Sequence, residues 1–255
     1  MTTNPKWPEI YNACKDAKCH VNDRPDIVAR VFYLKLKALM QDLQAGALGK
    51  TVAYMHVVEF QKRGLPHAHI LVILQSDDVI RSADNIDASV SAEFPPIPSR
   101  DTFPGGAAGT AEYNAAMAGC IWLTDFICSN LTHRVCGIHG DRKATCLDKH
   151  GDCKSGFPKD YANKTTWLAT DTYPKYCRRS PADGGRQQLH TDSKGKVRMV
   201  DNRWIVAHNR AMTMKFRCHI NVEASERERA ASRGYTAIGT HQFVQNTTYD
   251  TCIHA

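Results

Sequence analysis

Four things are missing from this sequence, and each absence removes a class of answers. No apolar run approaches the roughly 20 residues needed to span a bilayer; the longest, Ile70 to Leu74, suits a buried strand. The opening MTTNPKWPEI lacks a basic segment followed by an apolar one, so no secretory signal is visible and the chain is expected inside the cell. No segment recurs along the chain, which excludes a solenoid. A phosphate-binding loop is also missing. The string GALGKT, Gly46 to Thr51, resembles the tail of one, but Gln44 stands where its first glycine belongs. It also follows a helical pattern and precedes a strand pattern, the reverse of such a loop, so ATP is not an expected ligand.

What is present is ordinary in bulk and specific in detail. The 255 residues suffice for one large domain or two small ones, with 42% hydrophobic and 23% charged residues. Lys and Arg outnumber Asp and Glu by 33 to 26, a net charge of +7 that suits a polyanion but does not prove one. Ten cysteines inside a reducing compartment read as metal ligands or plain thiols rather than a disulfide framework.

Prolines 5 and 8 mark Thr3 to Ile10 as an extended or looped entry. Asp23 to Asp26, around Pro25, looks like a helix start, and Val31, Phe32, Leu36, Leu39, Met40 and Leu43 carry helical spacing toward a stop near Gly46 or Gly49. Val52 to Phe60 and His67 to Leu74 read as two strands of a hairpin, joined by the six residues Gln61 to Pro66. Residues 76–116, rich in Pro and Gly, are expected to be an irregular excursion. Ile121 to Leu131 resembles a short helix; Val197 to Val200, Trp204 to Ala207 and Met214 to Val222 resemble strands. The last thirty or so residues show no clear period.

The hairpin carries the chemistry. Residues two apart on a strand share a face, so His67 and His69 present two imidazoles together, while Ala68, Ile70, Val72 and Leu74 commit the other face to a core. Glu59 joins the histidine face only if paired residues have numbers summing to an even value; a slip of one sends it to the far side. Two imidazoles and a carboxylate would hold a divalent ion with positions left for a phosphate oxygen. Strand histidines bonded to neighbours are the plainer reading. A cupin-type barrel also uses His-x-His but places a glutamate shortly after it, where this chain has ILVILQSDD.

The string EFQKRGLPHAHI, with TNPKWPEI before it, resembles the N-terminal replication-initiator region of Helitron transposase-helicases. Further matching strings, in order, are the FPK segment at Cys153 to Lys159, YPKYCRR at Tyr173 to Arg179, DNRWIVAHN at Asp201 to Asn209 and HINVE at His219 to Glu223. The resemblance covers about residues 3 to 223 and implies a nuclease of the His-hydrophobic-His (HUH) class. The implied fold is α+β, a central antiparallel sheet with flanking helices and a Cys/His-rich insertion. The implied domain is 1–223, with a Cys/His-rich segment at 133–159 and a divergent tail at 224–255.

It also implies His67, His69 and Glu59 as ligands of Mg or Mn, single-stranded DNA as substrate, rolling-circle nicking and strand transfer as activity, and a nuclear location. In that family paired tyrosines on a lysine-rich helix after HINVE attack the phosphate. Here the chain continues ASERERAASRGYTAIGTHQF, and its Tyr235 and Tyr249 are neither helically spaced nor flanked by lysine. Tyr235 is the nearest replacement, the nucleophile is unassigned, and the covalent step is expected to be impaired. The family also has more strand ahead of TNPKWPEI, so the start reads as clipped, and no helicase follows.

His133, Cys136, Cys146 and Cys153 stand in an H-x2-C-x9-C-x6-C arrangement that satisfies tetrahedral zinc, with His139 a rival imidazole. Unconnected cysteines are the competing reading, and Cys14 and Cys19 read as plain thiols. Lys62 and Arg63, in the hairpin turn, are candidates to hold a DNA phosphate, and Arg178, Arg179, Arg203, Lys215 and Arg217 would extend that surface; singly, each reads as solvated charge. Trp204 would stack a base or sit in the core. His219 shares strand parity with Asn221 and Glu223, a polar face that would neighbour the metal. The reading from another class is a non-catalytic zinc- or nucleic-acid-binding module, or a transposon fragment without function.

Overall fold

The computed structural model describes residues 1–61, 64–75, 77–78, 82–99, 101, 110–168, 171, 173–191, 195–225 and the backbone of 243–245. The fold is α+β with antiparallel sheets, as the sequence predicts. The chain passes repeatedly between two compact units. Unit 1 comprises the described residues of Met1–Ser91, Thr165–Tyr176 and Ala207–Thr248; unit 2 includes Ala92–Lys164 and Cys177–Val206. No helix among the described residues is long and apolar enough to cross a membrane.

Unit 1 sets two longer helices and two shorter ones with one sheet. Helix α1 (Pro8–Asp16) takes the last three residues of the Thr3 to Ile10 stretch read as extended or looped. Pro8 sits in its first turn, where the missing N–H costs nothing, so the proline that suggested a loop opens a helix instead. Helix α2 (Pro25–Gln44) buries Val28, Phe32, Leu36, Leu39, Met40 and Leu43, the expected stripe with Val28 in place of Val31. Burying each of these large side chains contributes about 1.5–3 kcal/mol. The helix stops where Gly46 and Gly49 adopt φ of 94° and 114°.

Strands β1 (Thr51–Phe60) and β2 (Pro66–Leu74) form the predicted hairpin, and α2 packs against β2. Ala68, Ile70, Val72 and Leu74 are buried, as alternation requires. On the far side of β2, residues 1–3 bridge its first half, with Ala68 N–H donating to Met1 O at 2.8 Å and Thr3 N–H to Pro66 O at 3.2 Å.

Helix α5 (Arg210–Phe216) takes the first three residues of the stretch Met214 to Val222 expected as a strand, and the other six lie in no strand. Asn209 caps it by accepting from Met212 N–H at 2.9 Å, and it buries Met212, Thr213 and Phe216. Strands β5 (Glu223–Ser225) and β6 (Phe243–Gln245) complete a sheet of order β1-β2-β6-β5. The tail thus adds a strand to the sheet although its sequence shows no period. Residues 226–242 and 246–255 lie outside the described residues.

In unit 2, helix α4 (Ala111–Asn130) begins ten residues before the Ile121 that the periodicity marked. Thr110 caps it by accepting from Tyr113 N–H at 3.3 Å. Its apolar face joins Phe94, Phe157, Val200, Trp204, Ile205 and Val206 in one core. Strands β3 (Gln187–Thr191) and β4 (Val197–Asp201) form a two-stranded hairpin. Trp204 to Ala207 is not a strand of the sheet: a 3-10 turn covers Asn202–Trp204. Helix α3 (Ala83–Ser89), in unit 1, lies within the stretch read as irregular.

Candidate metal centres and a basic cleft

In unit 1 the pairing register decides the first site. Glu59 pairs with His67, and Val57 with His69, so the numbers sum to an even value and the carboxylate shares a face with both imidazoles. His69 Nε2 lies 3.3 Å from Glu59 Oε2. The two imidazole rings meet edge-on, with centroids 4.7 Å apart. His67 is only 1% exposed. Its Nδ1 lies 2.7 Å from Thr2 Oγ1, while its Nε2 is buried with no hydrogen-bond partner among the described residues.

An unpaired buried nitrogen is costly, and a metal ion is a natural partner for it. With Nδ1 carrying the proton and donating to Thr2, Nε2 keeps its lone pair for a ligand bond. Burial, then the Met1 ammonium and the neighbouring imidazoles, push the His67 pKa down to about 2, so the ring stays neutral as a ligand must. Glu59 and His69 keep a side open to solvent. Thr2 Oγ1 also lies 3.4 Å from His219 Nδ1, which brings the polar face of His219 beside His67. Asn221 and Glu223 of that face are buried and hydrogen-bond to each other at 3.4 Å.

In unit 2 the Cys/His segment folds into a knot. Gly137 takes φ of 63°, and a Cβ there would approach Gly151 O to 3.0 Å; one on Gly140 would lie 2.4 Å from Val135 O. Only glycine allows that close return of the chain. The turns bring together His133, Cys136, Cys146 and Cys153, whose ligand atoms all lie within 4.8 Å of one another. Among the described residues this is the one group of three or more such side chains assembled so tightly.

Around tetrahedral zinc, an imidazole nitrogen and a thiolate sulfur stand about 3.6 Å apart. Cys136 Sγ and Cys153 Sγ lie 3.6 and 3.3 Å from His133 Nε2. The donor set and spacing fit a closed structural site. His133 stacks on Phe157 with centroids 4.4 Å apart. Its rival His139 is exposed and turned toward Trp204, outside the group. None of the described cysteines is in a disulfide.

The basic residues divide sharply. Arg178, expected on a DNA-binding surface, is 5% exposed. It donates to Asn202 O at 2.5 Å and Ile205 O at 2.7 Å, so its guanidinium stitches backbone inside the unit. Arg179 is held by both oxygens of Glu93, and Arg203 by both oxygens of Asp201. Lys215 pairs with Asp42 on the surface of unit 1, and Arg217 is exposed. Trp204 is core. Lys62, Arg63 and Tyr235 lie outside the described residues.

A cleft that the sequence reading missed also lies in unit 2. It has a volume of about 510 Å3 and is walled by Lys196, Arg198, Arg203, Asp201, Tyr161 and Trp204, among others. The Arg203 guanidinium sits 4.7 Å over the Tyr161 ring. The contributing residues are scattered from 135 to 204, and no local string signals them.

The described residues thus combine an α+β fold with a His-Ala-His strand, a facing glutamate and a Cys/His knot. Residues 1–72 match the family model described as the Helitron helicase-like domain at N-terminus. This N-terminal segment is therefore Helitron-like, and the matched stretch contains Glu59, His67 and His69 while stopping short of the Cys/His knot. No curated protein matches the chain.

Proposed function

We propose that this chain grips single-stranded DNA at a divalent ion, Mg or Mn, held by Glu59, His67 and His69, in the manner of a rolling-circle nickase acting in the nucleus. The carrying observation is the Glu59–His67 register, which puts one carboxylate and two imidazoles on a single face of the hairpin. When bound, the ion would polarise a scissile phosphate. His67 supplies an uncharged Nε2, Thr2 fixes its ring, and Glu59 supplies the negative charge that favours a cation. Without an assigned tyrosine the chain binds and does not complete a covalent cut.

The test is binding of a labelled single-stranded oligonucleotide with and without Mn2+, in the wild type and His67→Ala. Mn2+ tightens binding of the wild type alone, and no protein–DNA adduct survives denaturation. Binding indifferent to Mn2+ overturns the metal role; a covalent adduct overturns the impairment and locates the nucleophile. One observation favours a second reading, a zinc-stabilised nucleic-acid-binding module: the knot is drawn within 4.8 Å and the hairpin trio is not. Metal-independent DNA retention with one zinc per chain would select it.

A further inference from the structure

We propose that β1 is the pairing edge of a two-fold dimer: its outer side takes β1 of a second copy, antiparallel, with His56 on the axis. The pairing needs no ion and is independent of whether the hairpin holds one.

The edge is bare. β1 ends the sheet order β1-β2-β6-β5, so among the described residues only its inner side is hydrogen-bonded to a strand. Nine of its ten residues are exposed, and because successive side chains point to opposite faces, it is uncovered on both. The exposed set is apolar and large: Val52 is 58% accessible, Phe60 66%, with Tyr54, Met55, Val57 and Val58 between them. Edges are ordinarily blunted by brevity, proline or lysine. TVAYMHVVEF is long, has no Pro, Lys or Arg, and carries one carboxylate, Glu59. Its single irregularity lies at the start, between Thr51 and Ala53.

The pattern of β1 selects a second copy as the occupant. Opposed residues of an antiparallel pair turn their N–H and C=O groups either both inward or both outward. Two copies of one edge therefore pair only with the axis on a residue, not between two. With the axis on His56, the regular stretch Ala53 to Glu59 overlaps itself completely. Tyr54 then faces Val58, Val52 faces Phe60 and Met55 faces Val57. Each aromatic ring meets a branched aliphatic side chain, a pair that stabilises sheets. Glu59 faces Ala53, so no carboxylate opposes another. An axis on Met55 would set Phe60 beyond the strand against Lys50, and one on Val57 would leave Val52 overhanging. A foreign strand would have to supply this complementary pattern; β1 carries it already.

The contact also closes. It is isologous, the same edge on both copies, and the far edge of the sheet, β5, is three buried residues that cannot extend a ladder. The two-fold sets the Glu59, His67 and His69 faces of both copies on one side of the joined sheet, so pairing does not compete with the hairpin reading.

The experiment uses the full, zinc-loaded chain in sedimentation equilibrium up to about 100 µM. The expected mass is twice the 28.5 kDa of one chain. Tyr54→Lys and Val58→Glu, both at exposed positions, should each weaken dimerisation at least about tenfold, with circular dichroism and zinc content unchanged. An equimolar mixture of the two variants should dimerise again, because the new cation of one faces the new carboxylate of the other. Oxidised His56→Cys should give an interchain disulfide that peptide mapping assigns to position 56 in both copies, since opposed residues in a ladder lie within disulfide reach.

A chain that stays at 28.5 kDa overturns the proposal and leaves the edge to a strand from another protein. A dimer indifferent to Tyr54→Lys, a mixture that restores nothing, assemblies larger than two, or a disulfide that never maps to position 56 would each overturn it as well.

Discussion

The hairpin of unit 1 and the knot of unit 2 use the same ligand, imidazole, in opposite ways. In the knot, His133 and three thiolates converge on one point, the ring is sandwiched against Phe157, and no open position is left. On the hairpin, one imidazole is sealed, the other half-buried, and the carboxylate reaches them from an exposed edge strand. The first arrangement suits an ion that holds a fold together; the second suits an ion that must still meet a ligand. The physical difference is backbone. Tight glycine turns force the knot's ligands inward, whereas a flat strand can only line them up along one face.

The largest test of this contrast is removal of the knot's ion. Structural zinc contributes apparent binding energies of about 10–16 kcal/mol in small folds. Chelation, or Cys146→Ser, should therefore abolish bound zinc and collapse the near-ultraviolet dichroism of unit 2, read alongside metal content by mass spectrometry. Retention of the dichroism in the stripped protein would break the comparison.

Next is the core beneath the hairpin. Leu74 is fully buried, and Leu74→Ala should cost about 2–5 kcal/mol by denaturant titration, without loss of zinc. On the hairpin's metal face, His67→Ala should lower Mn2+ affinity by at least the roughly 10- to 100-fold that loss of an outer-shell partner costs, measured by calorimetry. An unchanged affinity would remove His67 from the ligand set.

Acid sharpens the comparison further. Burial, reinforced by Lys159, pushes the His133 pKa down to about 4, below the ~6.5 of an unfolded histidine. The folded state then binds fewer protons than the unfolded one between those values. Its stability is intact above about pH 6.5 and declines as acid is added. For His133 the decline ends near pH 4, whereas for His67, pushed down to about 2, it continues to lower pH. Denaturant midpoints of unit 1 at stepwise lower pH, flattened by His67→Asn, check the His67 part, and the pH at which the loaded knot releases its zinc on acidification checks the His133 part. The smallest effect is expected on β1: Val57→Ala, at an exposed position, should shift stability by no more than about 0.5 kcal/mol.

Much of this was legible in the sequence for a local reason. Alternation with period two in PHAHILVIL assigns Ala68, Ile70, Val72 and Leu74 to one face and the histidines to the other, whatever the strand's neighbours. The 3.6-residue stripe of α2 was readable on the same ground. Where the reading failed, tertiary context outweighed local signals. Pro8 and Asn209 start helices whose short apolar stripes could not be told from loop or strand. Arg178 looked like surface charge until the fold wrapped three carbonyls around its guanidinium. Tyr161, Lys196 and Arg198 went unnoticed because nothing near them in the chain says that they share a cleft.

The sequence by itself determined which way side chains point along each strand and which residue types are able to hold a metal, since both follow from backbone period and side-chain chemistry. Only the tertiary structure decided partnership. It paired Glu59 with His67 rather than one residue off, chose His133 over His139, and left Lys196 and Arg198 on a cleft while sealing Arg178 inside. Those choices depend on contacts between residues far apart in the chain, and no local pattern encodes them.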